Sequence, residues 1–237
     1  MELPARNHHI LLADAARMTR RYRETRPDAE RGGAFHADPV RELLDQPGVA
    51  ALRYYHALEE NGRPAVILVG ADDRNHDLVD GILMDLHIPC PPFCPFPNEL
   101  NASERPKGKR PYRAVPMALP RRDHHIAVEA AAVMTRRYRE QFPRREKAGA
   151  FLAEQVRELL AHRDCVALRY YYALDEAEKE AMILVGVDPE GADLTDGVLL
   201  ELHIPCPPFC PTFNRLNWSG RVIETRRHEV AVPVGAV

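Results

Sequence analysis

The nonapeptide His-Ile-Pro-Cys-Pro-Pro-Phe-Cys-Pro occupies residues 87–95 and recurs letter for letter at 203–211, an offset of 203 − 87 = 116 positions. The offset reaches far beyond that stretch. Residues 3–101 align with 119–217 without a gap, and 58 of the 99 aligned positions are identical. A repeat of this length is a domain-sized unit rather than a solenoid module. The expectation is two tandem homologous domains, residues 1–101 and 119–217, each able to bury its own core. A polar, basic, proline-bearing linker at 102–118 joins them, and a tail follows at 218–237. Two such copies are expected to pack as an intramolecular pseudo-dimer about a pseudo-two-fold axis.

Within one copy the pattern reads as α+β. Asn7 and its counterpart Asp123 are candidate N-caps. Leu11, Ala15, Met18 and Tyr22 follow at the spacing of one helical face, as do Ala127, Ala131, Met134 and Tyr138. Pro27 and Pro143 stop these helices. A second, short helix is expected around Phe35, Val40, Leu43 and Leu44, and around Phe151, Val156, Leu159 and Leu160. The period then changes to two. Residues 51–58 form an aromatic-rich strand, Asn61-Gly62 suits a tight hairpin turn, and the apolar run 65–70 suits a strand covered on both faces. A third strand is expected over 82–88, with Asp85 and His87 on one face. Each copy thus holds two helices and about three antiparallel strands.

A formal net charge of −3 argues against a broad surface for nucleic acid. No run approaches the roughly 20 apolar residues of a bilayer span, and residues 1–6 lack the regions of a signal peptide. The expected setting is the cytoplasm, of a bacterial type, with no membrane partner.

Chemistry concentrates at the repeated stretch. His87, Cys90 and Cys94, with His203, Cys206 and Cys210 in the second copy, have spacing compatible with a zinc site. Supporting ligands are available in Asp85 and Glu201, and in the pairs His8-His9 and His124-His125. The same residues allow a thiol chemistry, in which His87, oriented by Asp85, favours a Cys90 or Cys94 thiolate. They also allow a structural reading, a proline-stiffened knot with buried or disulfide-bonded cysteines. Cys165, which has no counterpart cysteine, is expected in the core. Arg20, Arg21 and Arg23, and Arg136, Arg137 and Arg139, offer guanidinium groups to an anion, or else form solvated helix faces. Arg53 and Arg169 are expected to be partly buried and paired with Glu42 and Glu158. The P-loop, GxGxxG, GxSxG and HExxH motifs do not occur, which removes the commonest nucleotide and hydrolase readings.

Arg21-Tyr22-Arg23, Val69-Gly70, residues 90–94 and Leu100-Asn101, with their partners in the second copy, resemble a group of small bacterial proteins with no established activity. The resemblance implies a self-contained domain that single-copy relatives use as a homodimer, and implies no substrate or cofactor. The expected function is a binding or interaction module rather than an enzyme, with zinc binding and thiol chemistry as alternatives.

Overall fold

The computed structural model describes residues 2–95, 97–102 and 118–217. The expected tail at 218–237, and the expected linker apart from residues 102 and 118, lie outside the described residues. The first half runs α1 (Leu12–Thr25), β1 (Gly32–His36), α2 (Ala37–Leu44), β2 (Ala51–Leu58), β3 (Pro64–Ala71), β4 (Leu83–Met84) and β5 (Ile88–Cys90). The second half repeats the order with α3 (Val128–Gln141), β6 (Ala148–Leu152), α4 (Ala153–Leu160), β7 (Ala167–Leu174), β8 (Glu180–Val187), β9 (Leu199–Leu200) and β10 (Ile204–Cys206). The class is mixed α and β, with antiparallel sheets.

The first helix stops ahead of Pro27, its closing Arg26 N–H returning to the Tyr22 carbonyl at 2.8 Å. Its start differs from expectation. Leu11 holds the cap position without a side-chain bond, and Asn7 and Asp123 instead accept from the His9 and His125 amides, both at 3.0 Å. The reason is that residues 8–10 are extended: His9 bridges to Leu200, and the Ile10 amide donates to the Leu199 carbonyl.

Strand partnership departs from the sequence expectation in a more consequential way. The two five-stranded sheets are ordered β5-β1-β7-β8-β9 and β10-β6-β2-β3-β4, so each draws strands from both halves. Gly32 pairs with Tyr171, and Ala148 with Tyr55. Moving each number by 116 turns one pairing into the other. Neither half therefore owns a sheet, which corrects the picture of self-contained domains. Alternation of side chains specifies which face of a strand is buried, and it says nothing about which chain segment lies alongside.

The expected third strand is also divided. Its first part, β4, pairs with β3, while β5 pairs with β1 in the other sheet. The chain changes sheets at Leu86, whose φ of 54° lies in the left-handed region, and Leu202 repeats this at 55°. Side-chain sterics make that conformation uncommon for leucine, and both leucines are about half exposed (48%).

Both faces of the central strands are covered. One face of β7 sends Leu168, Tyr170, Tyr172 and Leu174 into a shared core with Phe35, Leu52, Tyr54 and Phe151. The other face, with Tyr171 and Ala173, meets Ala15 of α1, while Tyr55 and Ala57 of β2 meet Ala131 of α3. The layers run helix, sheet, sheet, helix. Helices α2 and α4 close one end of the core with Val40, Leu43, Leu44, Val156, Leu159 and Leu160. Among the described residues, no helix is long and apolar enough to cross a membrane.

Candidate functional site

The two knots are closed by disulfides, Cys90–Cys94 and Cys206–Cys210. In each, the inner cysteine is buried, while Cys94 is half-buried and Cys210 exposed. The Cys90–Pro91, Pro91–Pro92, Cys206–Pro207 and Pro207–Pro208 peptide bonds are cis. A zinc site needs thiolates, and these four sulfurs are bonded to one another. His87 directs its Nε2 to Glu30 Oε1 at 2.9 Å, and His203 directs its own to Glu146 Oε1 at 2.7 Å. Among the described residues, no group of three or more His, Cys, Asp or Glu side chains is placed to hold a metal. The donor set does not fit zinc as arranged.

Asp85 and Glu201 are buried, and burial raises both carboxyls above their ordinary value. Glu201 Oε1 stands 3.8 Å from His203 Nδ1, so the expected juxtaposition of these two groups exists in the second copy. The imidazoles lie against glycines. A methyl group at Gly33 would overlap the His87 ring, and one at Gly149 would overlap the His203 ring and the Tyr54 hydroxyl.

The paired histidines separate into a buried and an exposed member. His8 Nδ1 faces the Leu202 carbonyl at 2.9 Å and the Glu201 carbonyl at 3.2 Å, and its Nε2 accepts from the Leu152 amide at 3.0 Å. His124 Nδ1 faces the Leu86 and Asp85 carbonyls, and its Nε2 accepts from the His36 amide at 3.1 Å. These partners assign the neutral ring with its proton on Nδ1. Burial pulls the His124 pKa down to about 4 and lowers that of His8. Each ring bridges to the other half at the point where a strand changes sheets, so His8 and His124 are latches rather than metal ligands. His9 meets Glu158 at 3.0 Å on the surface, and His125 meets Asp123 at 2.8 Å.

The arginine strings divide in the same manner. Arg23 is buried and donates to the Leu100 carbonyl and, at 2.9 Å, to that of Ala102. Arg139 likewise donates to the Leu216 carbonyl. Arg21 donates to the Leu174 carbonyl at 2.9 Å, Arg136 and Arg137 are half-exposed, and Arg20 faces solvent. Arg23 and Arg139 thus anchor the backbone beyond each knot, and the described side chains of the two strings point to separate partners rather than to one anion site.

Arg53 and Arg169 are fully buried, but their partners are Asp77 and Asp193. Asp77 bridges back to Ala71 in the chain after β3, which brings it under the strand that carries Arg53, at 2.7 Å. Tyr55 donates to Asp77, and Tyr171 to Asp193 at 2.7 Å. The fourth member comes from the other half: Asn214 donates to Asp77 and Asn98 to Asp193, both at 2.8 Å. Glu42 and Glu158 remain on the surface. Cys165 lies in the core, and burial raises its thiol pKa.

A pocket of about 230 Å³ opens at the hairpin end of the sheets, away from α2 and α4. Its aromatic wall comes from both halves: Tyr22, His56, Tyr138 and Tyr172. The ring planes are nearly parallel, with Tyr22 and Tyr172 5.5 Å apart, His56 and Tyr138 5.1 Å apart, and His56 and Tyr172 6.3 Å apart. Small residues, among them Ala57, Ala65, Ala173 and Ala181, also line it. Arg26 and Arg145 converge at the rim on one oxygen of Glu180, at 2.8 and 3.5 Å. Burial lowers the His56 pKa, so its imidazole is neutral near pH 7, and no described group hydrogen-bonds that ring. Sequence reasoning did not find this site. Its one available trace was divergence between copies, since positions 26/142, 29/145, 56/172 and 64/180 all differ and all contribute at least one lining residue.

Comparison of the chain with family models, with curated proteins and with solved structures finds no match.

Proposed function

We propose that this protein is a small-ligand-binding module whose two copies are related by a pseudo-two-fold axis and whose site is the pocket where they meet. The observation that carries this reading is the aromatic pocket itself, built from both halves around an imidazole, that of His56, whose ring stacks on Tyr138 and Tyr172 and has no described hydrogen bond. Concave, mostly apolar sites with a few directed polar groups are the usual form of a ligand site. At about 230 Å³ it lies below the roughly 300 Å³ at which drug-sized sites begin, which suits a ligand of one or two rings. In this reading the knots are closures, each tied to the other half through Asn98 or Asn214, and they keep the two walls in register.

Ligand-observed NMR with a panel of one- and two-ring compounds tests the proposal. Saturable hits are expected, and Ala29→Trp, a bulky side chain at a half-buried lining position, should abolish them while far-UV circular dichroism stays unchanged. Hits that survive the filled pocket locate binding elsewhere and reject the reading.

A further inference from the structure

We infer that the pocket takes a planar aromatic monocarboxylate, its ring against the stacked wall and its carboxylate on the Arg26–Arg145 pair; this rests on the pocket being the ligand site. Three observations lead there. The first is charge at the rim. Two guanidinium groups share a single carboxylate oxygen of Glu180, which leaves one positive charge in excess at that point. The neighbouring carboxylates point elsewhere, Glu30 to His87 and Arg63, and Glu146 to His203 and the Tyr54 hydroxyl, and neither forms a described ion pair with Arg26 or Arg145. A ligand cation would meet two guanidiniums, whereas a carboxylate matches the planar fork of arginine.

The second is the origin of that pair. Arg26 has Phe142 as its counterpart, Arg145 has Ala29, and Glu180 has Pro64. None of the three charges arises from the repeat, yet all three meet at one rim. The two arginines also stack on the wall, with Arg26 5.1 Å above the Tyr22 ring and Arg145 4.5 Å from the Phe142 ring, so their positions are tied to the aromatic residues.

The third is the wall. The rings of Tyr22, Tyr172, His56 and Tyr138 form one run of near-parallel planes, an arrangement that a further planar ring can join, since aromatic pairs favour offset stacking. Neutral His56 adds one donor and one acceptor. It is suited to a ring substituent such as a hydroxyl, opposite the carboxylate. Glu180 stands in for the ligand's acid group when the pocket is empty, and a ligand carboxylate competes with it for the same donors.

Calorimetric titration of the full chain with three matched probes tests this: 4-hydroxybenzoate, 4-hydroxybenzamide and 4-hydroxybenzylamine. The acid is expected to bind at least about tenfold more tightly than the amide, the equivalent of one charge-assisted contact, and the amine not at all. Arg26→Gln with Arg145→Gln should remove the preference for the acid, bringing its affinity down to that of the amide. Glu180→Gln should tighten acid binding severalfold by removing the competing carboxylate. Equal binding of acid and amide, or weaker acid binding in E180Q, overturns the ligand class while the pocket reading stands. Failure of all three probes, together with an absence of hits in the NMR panel, overturns both.

Discussion

The buried Arg–Asp–Tyr clusters and the pocket at the hairpin end are both built by the two halves together, but the sequence repeat treats them in opposite ways. Arg53, Tyr55, Asp77 and Asn214 have the identical counterparts Arg169, Tyr171, Asp193 and Asn98. Around the pocket, Arg26, Ala29, His56 and Pro64 face Phe142, Arg145, Tyr172 and Glu180 at the same positions. The difference follows from what each side chain touches. An ion pair with almost no solvent contact leaves a desolvated charge behind if either member changes. A residue that borders a cavity loses only a contact, and solvent or ligand can replace it. Sameness in one region therefore marks mutual dependence, and difference in the other marks freedom to acquire a specificity.

The sharpest way to break that contrast is to remove one member of a buried pair. Asp77→Ala or Asp193→Ala is expected to cost about 3–5 kcal/mol in denaturant unfolding, because it strands a buried guanidinium. A loss below about 1 kcal/mol would show that these clusters do not hold the halves together.

Acid provides the next largest effect. His8, His56 and His124 all have pKa values lowered by burial, so the unfolded chain binds protons that the folded chain does not. Stability then falls with falling pH, beginning near the ordinary imidazole value of 6.5 and continuing to about 4 for His124. That group alone accounts for about 3 kcal/mol. Asp85 and Glu201, with values raised by burial, act in the opposite sense. Unfolding measured from pH 7 to 5 should show the decline, and His124→Gln should remove its share of the slope. Rising stability over that range would reject the neutral assignment.

Reduction of the knots comes third. Each bridge closes a loop with a sequence separation of only 4, for which chain entropy gives about 2 kcal/mol per bridge. The knots also differ. Asn75 donates to the Phe209 and Cys210 carbonyls, both at 3.3 Å, whereas its counterpart Gly191 has no side chain to do so. Thermal unfolding of Cys90→Ser/Cys94→Ser and of Cys206→Ser/Cys210→Ser should therefore give the first knot the larger loss. The smallest effect is expected at the pocket rim. Arg26→Gln removes a partly exposed ion pair and should change stability by less than about 1 kcal/mol, even where it alters binding. A larger loss would make the rim structural and erase the contrast.

Much of the local structure was legible in the chain, and partnership was not legible at all. Phe35 and Phe151, expected in the second helix, lie in β1 and β6, each of which pairs with a strand of the other half. The alternation at residues 51–58 located β2 to the residue, and Pro27 placed the end of α1. Asn61-Gly62 gave the hairpin turn, where Gly62 has a φ of 83°. The division of residues 82–88 escaped notice because Ile82, Met84, Leu86 and Ile88 alternate without interruption, and nothing in that pattern announces a left-handed leucine. Asp77 was passed over for Glu42 because the return of the chain after β3 depends on a bridge that no local period encodes. The histidine of each knot was recognised, but its Glu30 or Glu146 partner lies 57 residues away, and proximity in sequence favoured the cysteines instead. The pocket gathers residues from 22 to 181, so it exists only once the sheets are assembled.

Because β1 and β6 each hydrogen-bond into a sheet made largely by the opposite half, the molecule is interlaced rather than merely docked. A chain cut between residues 102 and 118 should remain one particle, since separating the pieces would tear both sheets. Either piece produced alone would have to find a second copy of itself and weave with it, and its melting temperature would climb with protein concentration.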